Sequence, residues 1–463
     1  MKYPRSSDTI YDVAIIGAGF SGVAVAYHLA RRAAQHSQSL SCLVFEPRER
    51  IGAGVAYQTQ SSAHILNVPA GRMSVDESDP QSFLRWLINN GHAYSENDFV
   101  PRPLYQAYLS EIFNELKNDS PDFSLEVIAE HASALEHDES AYEVKNAAGA
   151  SHRARNVILA VGNSPASGEA DIDSSLKSPW DQSAIDSCAS DSKVAVIGSG
   201  LSAVDTILAL EAASFKGHYT LISRRGLLPQ PHGTHGHIET TTQTAADLVS
   251  ARPTIAEMLH EFRGAIEQGV AWRDLIDALR PSTQKIWNRL PSRSKRSFIR
   301  HLRPFWDSHR HRVPVESLSV LLDLKQNGRL TSIKGRVLSH AKSSAGVTLT
   351  VQTRGRASTT RFDSVFDCRG LWTDLRASRC SLLDSIIRSG TAHYDELALG
   401  LRTDKNGKLL SAKGTPLAIY TLGSLRRGEL WETTAVREIR TQARLIAESI
   451  LPEQQPQRKV GNS

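Results

Sequence analysis

The sequence predicts an α/β protein built from two Rossmann-like dinucleotide-binding domains, with strand meanders and a helical insertion. Three observations carry that expectation. A strand, a glycine turn, a helix and a second strand open the chain over residues 12–46, and the same grammar recurs over residues 193–223. Each unit is followed by short alternating strands that end in a glycine, at Gly162 and at Gly370. Two such units in one chain are far more informative than one.

Taken in order, Asp12-Val13-Ala14-Ile15-Ile16 is a short apolar β-type run that Gly17-Ala18-Gly19-Phe20-Ser21-Gly22 breaks. Good helix formers fill 23–34, and 41–46 returns as a strand. Residues 123–161 alternate apolar and polar side chains as a meander. In the second unit 193–197 is a strand, Gly198-Ser199-Gly200-Leu201-Ser202-Ala203 the turn, and 218–223 the next strand; 330–370 repeats the meander. Between them Ile255, Met258, Leu259, Phe262 and Ile266 recur at helical spacing, as do Phe298, Ile299, Leu302, Phe305 and Trp306. Residues 247–324 therefore read as a helical insertion. A strand at 417–422 and a helix reaching Ile450 close the chain before a polar tail. The domains expected are 1–165 with 376–452, discontinuous and flavin-binding, then 190–375 for the nicotinamide nucleotide, and a flexible tail at 453–463.

Composition excludes much else. The 463 residues exceed one hydrophobic core and suit two or three domains, and 40% apolar with 22% charged residues is an ordinary globular balance. A net charge of +5 does not suggest a nucleic-acid coat. Cys42, Cys188, Cys368 and Cys380 show no CxxC spacing, which argues against a disulfide framework, a zinc ribbon and a dithiol reductase. Neither a signal peptide nor a run approaching the ~20 apolar residues of a membrane span is visible. A cytoplasmic protein is expected.

The chemistry sits in the turns. Gly17, Gly19 and Gly22 form a GxGxxG between strand and helix, the context in which helix N–H groups meet a pyrophosphate. Glu46 ends the next strand, where a carboxylate accepts hydrogen bonds from ribose hydroxyls. Gly198, Gly200 and Ala203 form the second fingerprint, and its next strand ends in Arg224 and Arg225 rather than an acid. Guanidinium groups there bind a 2′-phosphate, which favours NADPH, although NADH and a merely solvated role for the arginines stay open. The first site is then expected to hold FAD. The Gly428-Glu429-Leu430-Trp431-Glu432-Thr433-Thr434-Ala435 segment opens the last helix, whose N-terminus would face the flavin pyrimidine edge, unless it is an ordinary surface helix. Asn67, in His64-Ile65-Leu66-Asn67-Val68-Pro69, reads as a residue of a flavin-face loop or as an Asx turn before proline.

Two clusters remain. His232, His235 and His237 lie within six residues, but no cysteine or spaced acid completes a metal site, and no metal is expected. The stretch 293–312 holds Arg293, Lys295, Arg296, Arg300, Arg303, Arg310 and Arg312 against Asp307 alone. A solvated basic face, an anion pocket, or a surface for an acidic membrane or nucleic acid would each account for it. Substrate binding by Arg300, Arg303, Arg310 and Arg312 is the expectation carried forward.

Over nearly its whole length the chain resembles the bacterial FAD/NAD(P)-binding family that includes FAD-dependent urate hydroxylase and the aspartate N-monooxygenase that forms nitrosuccinate. The carriers are Gly17 to Gly22, Ile51-Gly52-Ala53-Gly54-Val55-Ala56-Tyr57, Leu66-Asn67-Val68-Pro69 and Phe83-Leu84-Arg85-Trp86-Leu87, with Arg224-Arg225-Gly226-Leu227-Leu228-Pro229 and Leu430-Trp431-Glu432-Thr433-Thr434-Ala435. Asn67-Val68-Pro69 with Met73 is also similar to a segment of flavin-containing monooxygenases in which the asparagine faces the flavin. Their FxGxxxH fingerprint has no clear match, and Ser178-Pro179-Trp180-Asp181 stands in about its place. The resemblance implies an NAD(P)H-dependent FAD monooxygenase that hydroxylates a small, anionic substrate with O2 through a flavin C4a hydroperoxide. Asn67 would then have the catalytic role, and Thr433 and Thr434 would join the cofactor contacts. A reductase without oxygenation and a nucleotide-sensing protein are the alternatives, and a homo-oligomer stays open.

Overall fold

The computed structural model describes residues 9–453 apart from 139, 163–174, 234–238, 371–373 and 379. The first sheet contains β1 (Ile10–Ile16), β2 (Leu40–Phe45), β3 (Phe123–Ile128), β4 (Ala132–His137), β5 (Tyr142–Asn146) and β6 (Ser151–Leu159). The second unit supplies β7 (Lys193–Ile197), β8 (His218–Ser223), β9 (Leu330–Lys334), β10 (Arg336–Ser343), β11 (Gly346–Thr353), β12 (Arg356–Phe362) and β13 (Ser364–Asp367). The chain then returns to the first sheet with β14 (Lys408–Leu410) and β15 (Pro416–Thr421).

The first sheet runs β14-β15-β6-β1-β2-β3, parallel from β15 to β3, with β5 pairing antiparallel to β6 and β4 to β5. A parallel sheet buries both faces, which explains why β1 is apolar at every position from Val13 to Ile16. Val13 and Ile15 pack into one layer, beneath the helices Phe20–His36, Arg102–Asn118 and Val436–Ile450; Ala14 and Ile16 pack into the other. That second layer holds Leu135 and Val144 from the meander and Leu382 and Ile386 from the helix Ser381–Arg388. The second unit repeats this plan in a parallel sheet ordered β13-β7-β8-β9. Val194 and Val196 face the helix Leu201–Ala212, while Ala195 and Ile197 face the antiparallel β10-β11-β12.

Helices between Thr240 and Arg310 form the insertion, with a small core of Ala246, Val249, Leu275 and Leu279. The expected span of 247–324 needs correction at both ends. The helix Val315–Gln326 sends Leu321 and Leu324 into the same core as Val204 and Ile207, so it is the crossover between the parallel strands β8 and β9. Helical periodicity is the same for a crossover and an insertion helix, and only the sheet beneath separates them. The tail from residue 454 lies outside the described residues.

Candidate functional site

Both glycine turns have one geometry. Gly17 has φ +101°, and a Cβ there would stand 2.5 Å from the carbonyl oxygen of Ala160, the residue after β6. Gly198 has φ +113° and the same relation, at 2.2 Å, to Cys368, the residue after β13. The third position differs: a Cβ at Gly22 would meet the Gly17 carbonyl oxygen at 1.9 Å, whereas Ala203 fits fully buried. The second positions differ too. A Cβ at Gly200 meets nothing within 4 Å, leaving open space at the helix start; at Gly19 it would touch Gly54 Cα at 3.2 Å, because the 52–54 loop folds over the turn.

The helices Phe20–His36 and Leu201–Ala212 begin at Gly19 and Gly200 with no side-chain cap, and Val436–Ile450 begins at Ala435 in the same way. Side-chain caps are the minority in this chain: Thr254 forms a full capping box and Asp181 accepts from Ser183 N–H, while helices such as Arg102–Asn118 and Val315–Gln326 also lack one. An uncapped N-terminus leaves N–H groups for a phosphate or for an anionic ring edge. Two of these starts converge, since Gly423 lies between Ser21 and Ile439, each in the first turn of its helix, and Arg32 donates at 2.5 Å to the Leu451 carbonyl at the far ends.

Glu46 is buried, and its carboxylate accepts from Ala18 N–H at 2.9 Å and from Arg48 N–H at 3.0 Å. It thus fixes the first turn and keeps further lone pairs for a hydroxyl. Arg224 and Arg225 are exposed, and the Arg225 guanidinium lies 5.5 Å from the ring centre of Phe305, itself 42% exposed, on the insertion. Asn67 is half-buried at the seam between the units, where its carbonyl faces His232 Nε2 at 3.0 Å. His235 and His237 lie outside the described residues. Among the described residues no three His, Cys, Asp or Glu are grouped to hold a metal ion.

Thr433 is fully buried; its hydroxyl donates to the Gly423 carbonyl and accepts from Gln442 Nε2 at 2.8 Å. Its contribution at the helix start is therefore its backbone, as it is for the half-buried Thr434 beside it. Before them Glu432 is held by the insertion: Trp306 Nε1 donates to Oε1 at 2.8 Å, and Arg310 reaches Oε2 at 3.4 Å. Burial alone would raise the Glu432 pKa, but Arg310 and His311 hold it below the usual value, so the carboxylate is charged. Trp287 stacks on Trp431 at 4.8 Å and donates to the Gly428 carbonyl at 2.8 Å, and Arg280 pairs with Glu438 at 2.6 Å. The insertion thus walls the segment that opens the last helix.

The four arginines expected at a substrate do not act together. Arg312 is spent inside the protein, on Asp277 at 2.9 Å and on the carbonyls of Arg273 and His309, which removes it from the substrate set. Arg303 pairs with Asp307 at 3.0 Å one turn along its helix, and Arg300 is exposed. Arg310 differs: its Nε is buried with no partner among the described residues, and burial lowers its pKa. Sequence reasoning missed Trp306 and Glu432 as partners, although both stood in named motifs, because neither the helical stripe nor the 430–435 motif carries distance information. It also missed Arg102, which enters a buried ion pair with Asp205 at 2.7 Å across the units, and an isolated arginine at a helix start gives no signal in sequence.

Residues 14–164 match the FAD-NAD(P)-binding family. No curated protein matches the chain in sequence. Among solved structures, the ornithine hydroxylase of Pseudomonas aeruginosa in its reduced form is similar at 18% identity and TM-score 0.63, covering 96% of this chain and 99% of that one. The ornithine N-hydroxylase of Kutzneria sp. 744 is similar at 15% identity and TM-score 0.65, with the same coverage. The bacillithiol disulfide reductase of Staphylococcus aureus is similar at 14% identity and TM-score 0.56, covering 96% of this chain and all of that one. At these identities the likeness is one of fold: a match to the FAD-NAD(P)-binding family over 14–164, inside an architecture that hydroxylases and a reductase share across nearly the whole chain.

Proposed function

We propose that this protein is an NADPH-dependent flavin monooxygenase acting on a small substrate that carries an anionic group. The observation that supports it most is the pair of matched glycine turns with uncapped helix starts, in two units joined by a buried ion pair. FAD fits the first: the 17–22 turn and the start of Phe20–His36 receive the pyrophosphate, Glu46 a ribose hydroxyl, and the start of Val436–Ile450 the flavin edge. NADPH fits the second, with open space at Gly200 for the pyrophosphate and Arg224 and Arg225 for the 2′-phosphate. Bound together, these cofactors supply reduction of the flavin and transfer of one atom of O2, the other leaving as water.

The chain's own work is binding, orientation and exclusion of water. The first-turn N–H groups of Val436–Ile450, near Thr433 and Thr434, favour negative charge at the flavin edge. Asn67 lies at the seam of the two units, within reach of whatever is held between them. Arg310, held against Glu432 beside Thr433, is the guanidinium assigned to a substrate carboxylate or similar anion. Two structural neighbours are ornithine hydroxylases, which supports an amino-acid-like substrate over urate.

A reductase reading draws on the disulfide reductase of the same fold. Against it, the four cysteines offer no CxxC pair, Cys42 and Cys368 are buried, and burial pushes both thiols up, Cys368 to about 12. The test is NADPH and 18O2 consumption by FAD-loaded protein across small amino acids, amines and organic anions, with product mass measured. One labelled oxygen in the product supports the monooxygenase. NADPH oxidation with peroxide and no incorporation supports the reductase, and NADPH binding without flavin reduction supports a sensor.

A further inference from the structure

Arg102 is the first residue of the helix Arg102–Asn118 and is buried, an unusual place for a guanidinium. Its donors go to three different segments. One Nη donates to Asp205 Oδ2 at 2.7 Å, Nε to the Ile65 carbonyl at 3.3 Å, and the other Nη to the Ala56 carbonyl at 3.4 Å. Trp180, from the connection between the units, lies over the guanidinium at 5.9 Å. His64 doubles the joint. Its Nε2 is 3.0 Å from the Asp205 carbonyl oxygen and therefore carries the proton, so Nδ1 accepts from the Thr59 hydroxyl at 2.6 Å. His64 and Arg102 are themselves tied, as Arg102 N–H donates to the His64 carbonyl at 2.8 Å.

Asp205 belongs to the helix Leu201–Ala212, which starts at Gly200. Both its carboxylate and its carbonyl are gripped from the first unit, so the helix that carries the second glycine turn cannot rotate without breaking the joint. We propose that Arg102, with His64 and Asp205, is a positioning device that sets the angle between the two nucleotide-binding units. This rests on the reading of the two cradles as flavin and NADPH sites. NADPH gives up a hydride to oxidised flavin, leaving NADP+ and reduced flavin, and that needs the two rings in contact. A displacement of ~1 Å costs on the order of a hundredfold in such a reaction. A buried ion pair contributes little net stability compared with apolar packing of the same volume, but its forked geometry does specify orientation. No other buried ion pair among the described residues joins the core of one unit to the other.

The test uses Asp205→Asn, which keeps the shape, and Arg102→Gln, in FAD-loaded full-length protein. Spin labels at Lys117→Cys and Lys325→Cys, exposed on helices of the first and second units, report the angle, with Cys188→Ser and Cys380→Ser removing the half-buried native thiols. The expected result is a broadened or shifted interspin distance distribution in both variants. Flavin reduction at saturating NADPH should slow at least tenfold, while FAD content and flavin reduction by dithionite stay as in the parent. If Arg102→Gln fails to fold, Asp205→Asn carries the measurement alone. An unchanged distance distribution overturns the proposal whatever the activity. A parent protein whose flavin NADPH does not reduce, with distances that still broaden in the variants, would leave the joint standing and overturn the functional reading instead.

Discussion

The carbonyl oxygen of Cys368 occupies the space where Gly198 would carry a side chain, 2.2 Å from an added Cβ, and Ala160 does the same for Gly17. The first glycine of each turn is thus required by the strand beside it before any nucleotide binds. Gly200 is free of such contact, so the packing of the fold does not require a glycine there.

Gly198→Ala is therefore expected to lower stability by about 2 kcal/mol or more, from the left-handed φ and the carbonyl clash together. Gly200→Ala should melt like the parent but bind NADPH more weakly. Thermal melts and NADPH titrations separate the two, and equal melting temperatures for both variants would refute the distinction.

Cofactor choice should follow the arginines after β8. Arg224→Ala with Arg225→Ala is expected to raise KM for NADPH at least tenfold while leaving NADH nearly unchanged, since one charge-assisted phosphate contact is worth roughly 1.5–3 kcal/mol. Phe305 lies 5.5 Å from the Arg225 guanidinium, so Phe305→Ala should produce a smaller shift in the same direction. Equal losses with both nucleotides would show that these side chains do not read the 2′-phosphate.

Acid should weaken the first domain through His28. Burial first, then the charges of Arg31 and Arg444, lower its pKa to about 4, and its Nε2 has no partner among the described residues. An unfolded histidine titrates near 6.5, so the unfolded chain binds the extra proton first as pH falls. The contribution is fully present above about pH 6.5 and is lost progressively toward pH 4, up to ~3 kcal/mol. His28→Leu should flatten the stability profile in that window, measured by denaturant midpoints at pH 7 and pH 4.5. A profile parallel to that of the parent would exclude His28 as the source.

The two parallel units were legible because their signals are local. The apolar runs of β1 and β7 and the glycines that end them need no distant partner to be recognised. The start of the last helix was legible as a helix N-terminus, but the sequence carried no sign that Gln442 and Gly423 take up the Thr433 hydroxyl, which leaves that residue's backbone for a ligand. The insertion was the least legible part. Its arginines form one dense stretch in sequence, but each points to a different neighbour: Arg312 to Asp277, Arg303 to Asp307, Arg310 to Glu432. Charge density in a sequence states how many cations must find partners, not which partners they find.

That divergence makes the arginines separable by experiment. Arg312→Ala removes three internal hydrogen bonds and should cost about 2 kcal/mol of stability, while kcat/KM of the folded fraction stays near that of the parent. Arg300→Ala, at an exposed position, should change neither. Arg310→Ala is expected to lower kcat/KM for the substrate ~10–100-fold, the loss of one charge-assisted contact of roughly 1.5–3 kcal/mol. Flavin reduction by NADPH should survive in it, because Arg310 lies on the insertion against Glu432 and not at either glycine turn. The variant also takes the Arg310 guanidinium from Glu432, which keeps the Trp306 hydrogen bond, so Glu432→Gln is the control. If Glu432→Gln loses as much kcat/KM as Arg310→Ala, the ion pair matters only for holding the wall in place. If Glu432→Gln turns over normally while Arg310→Ala does not, the guanidinium meets the substrate. Normal turnover by Arg310→Ala would remove Arg310 from the substrate set.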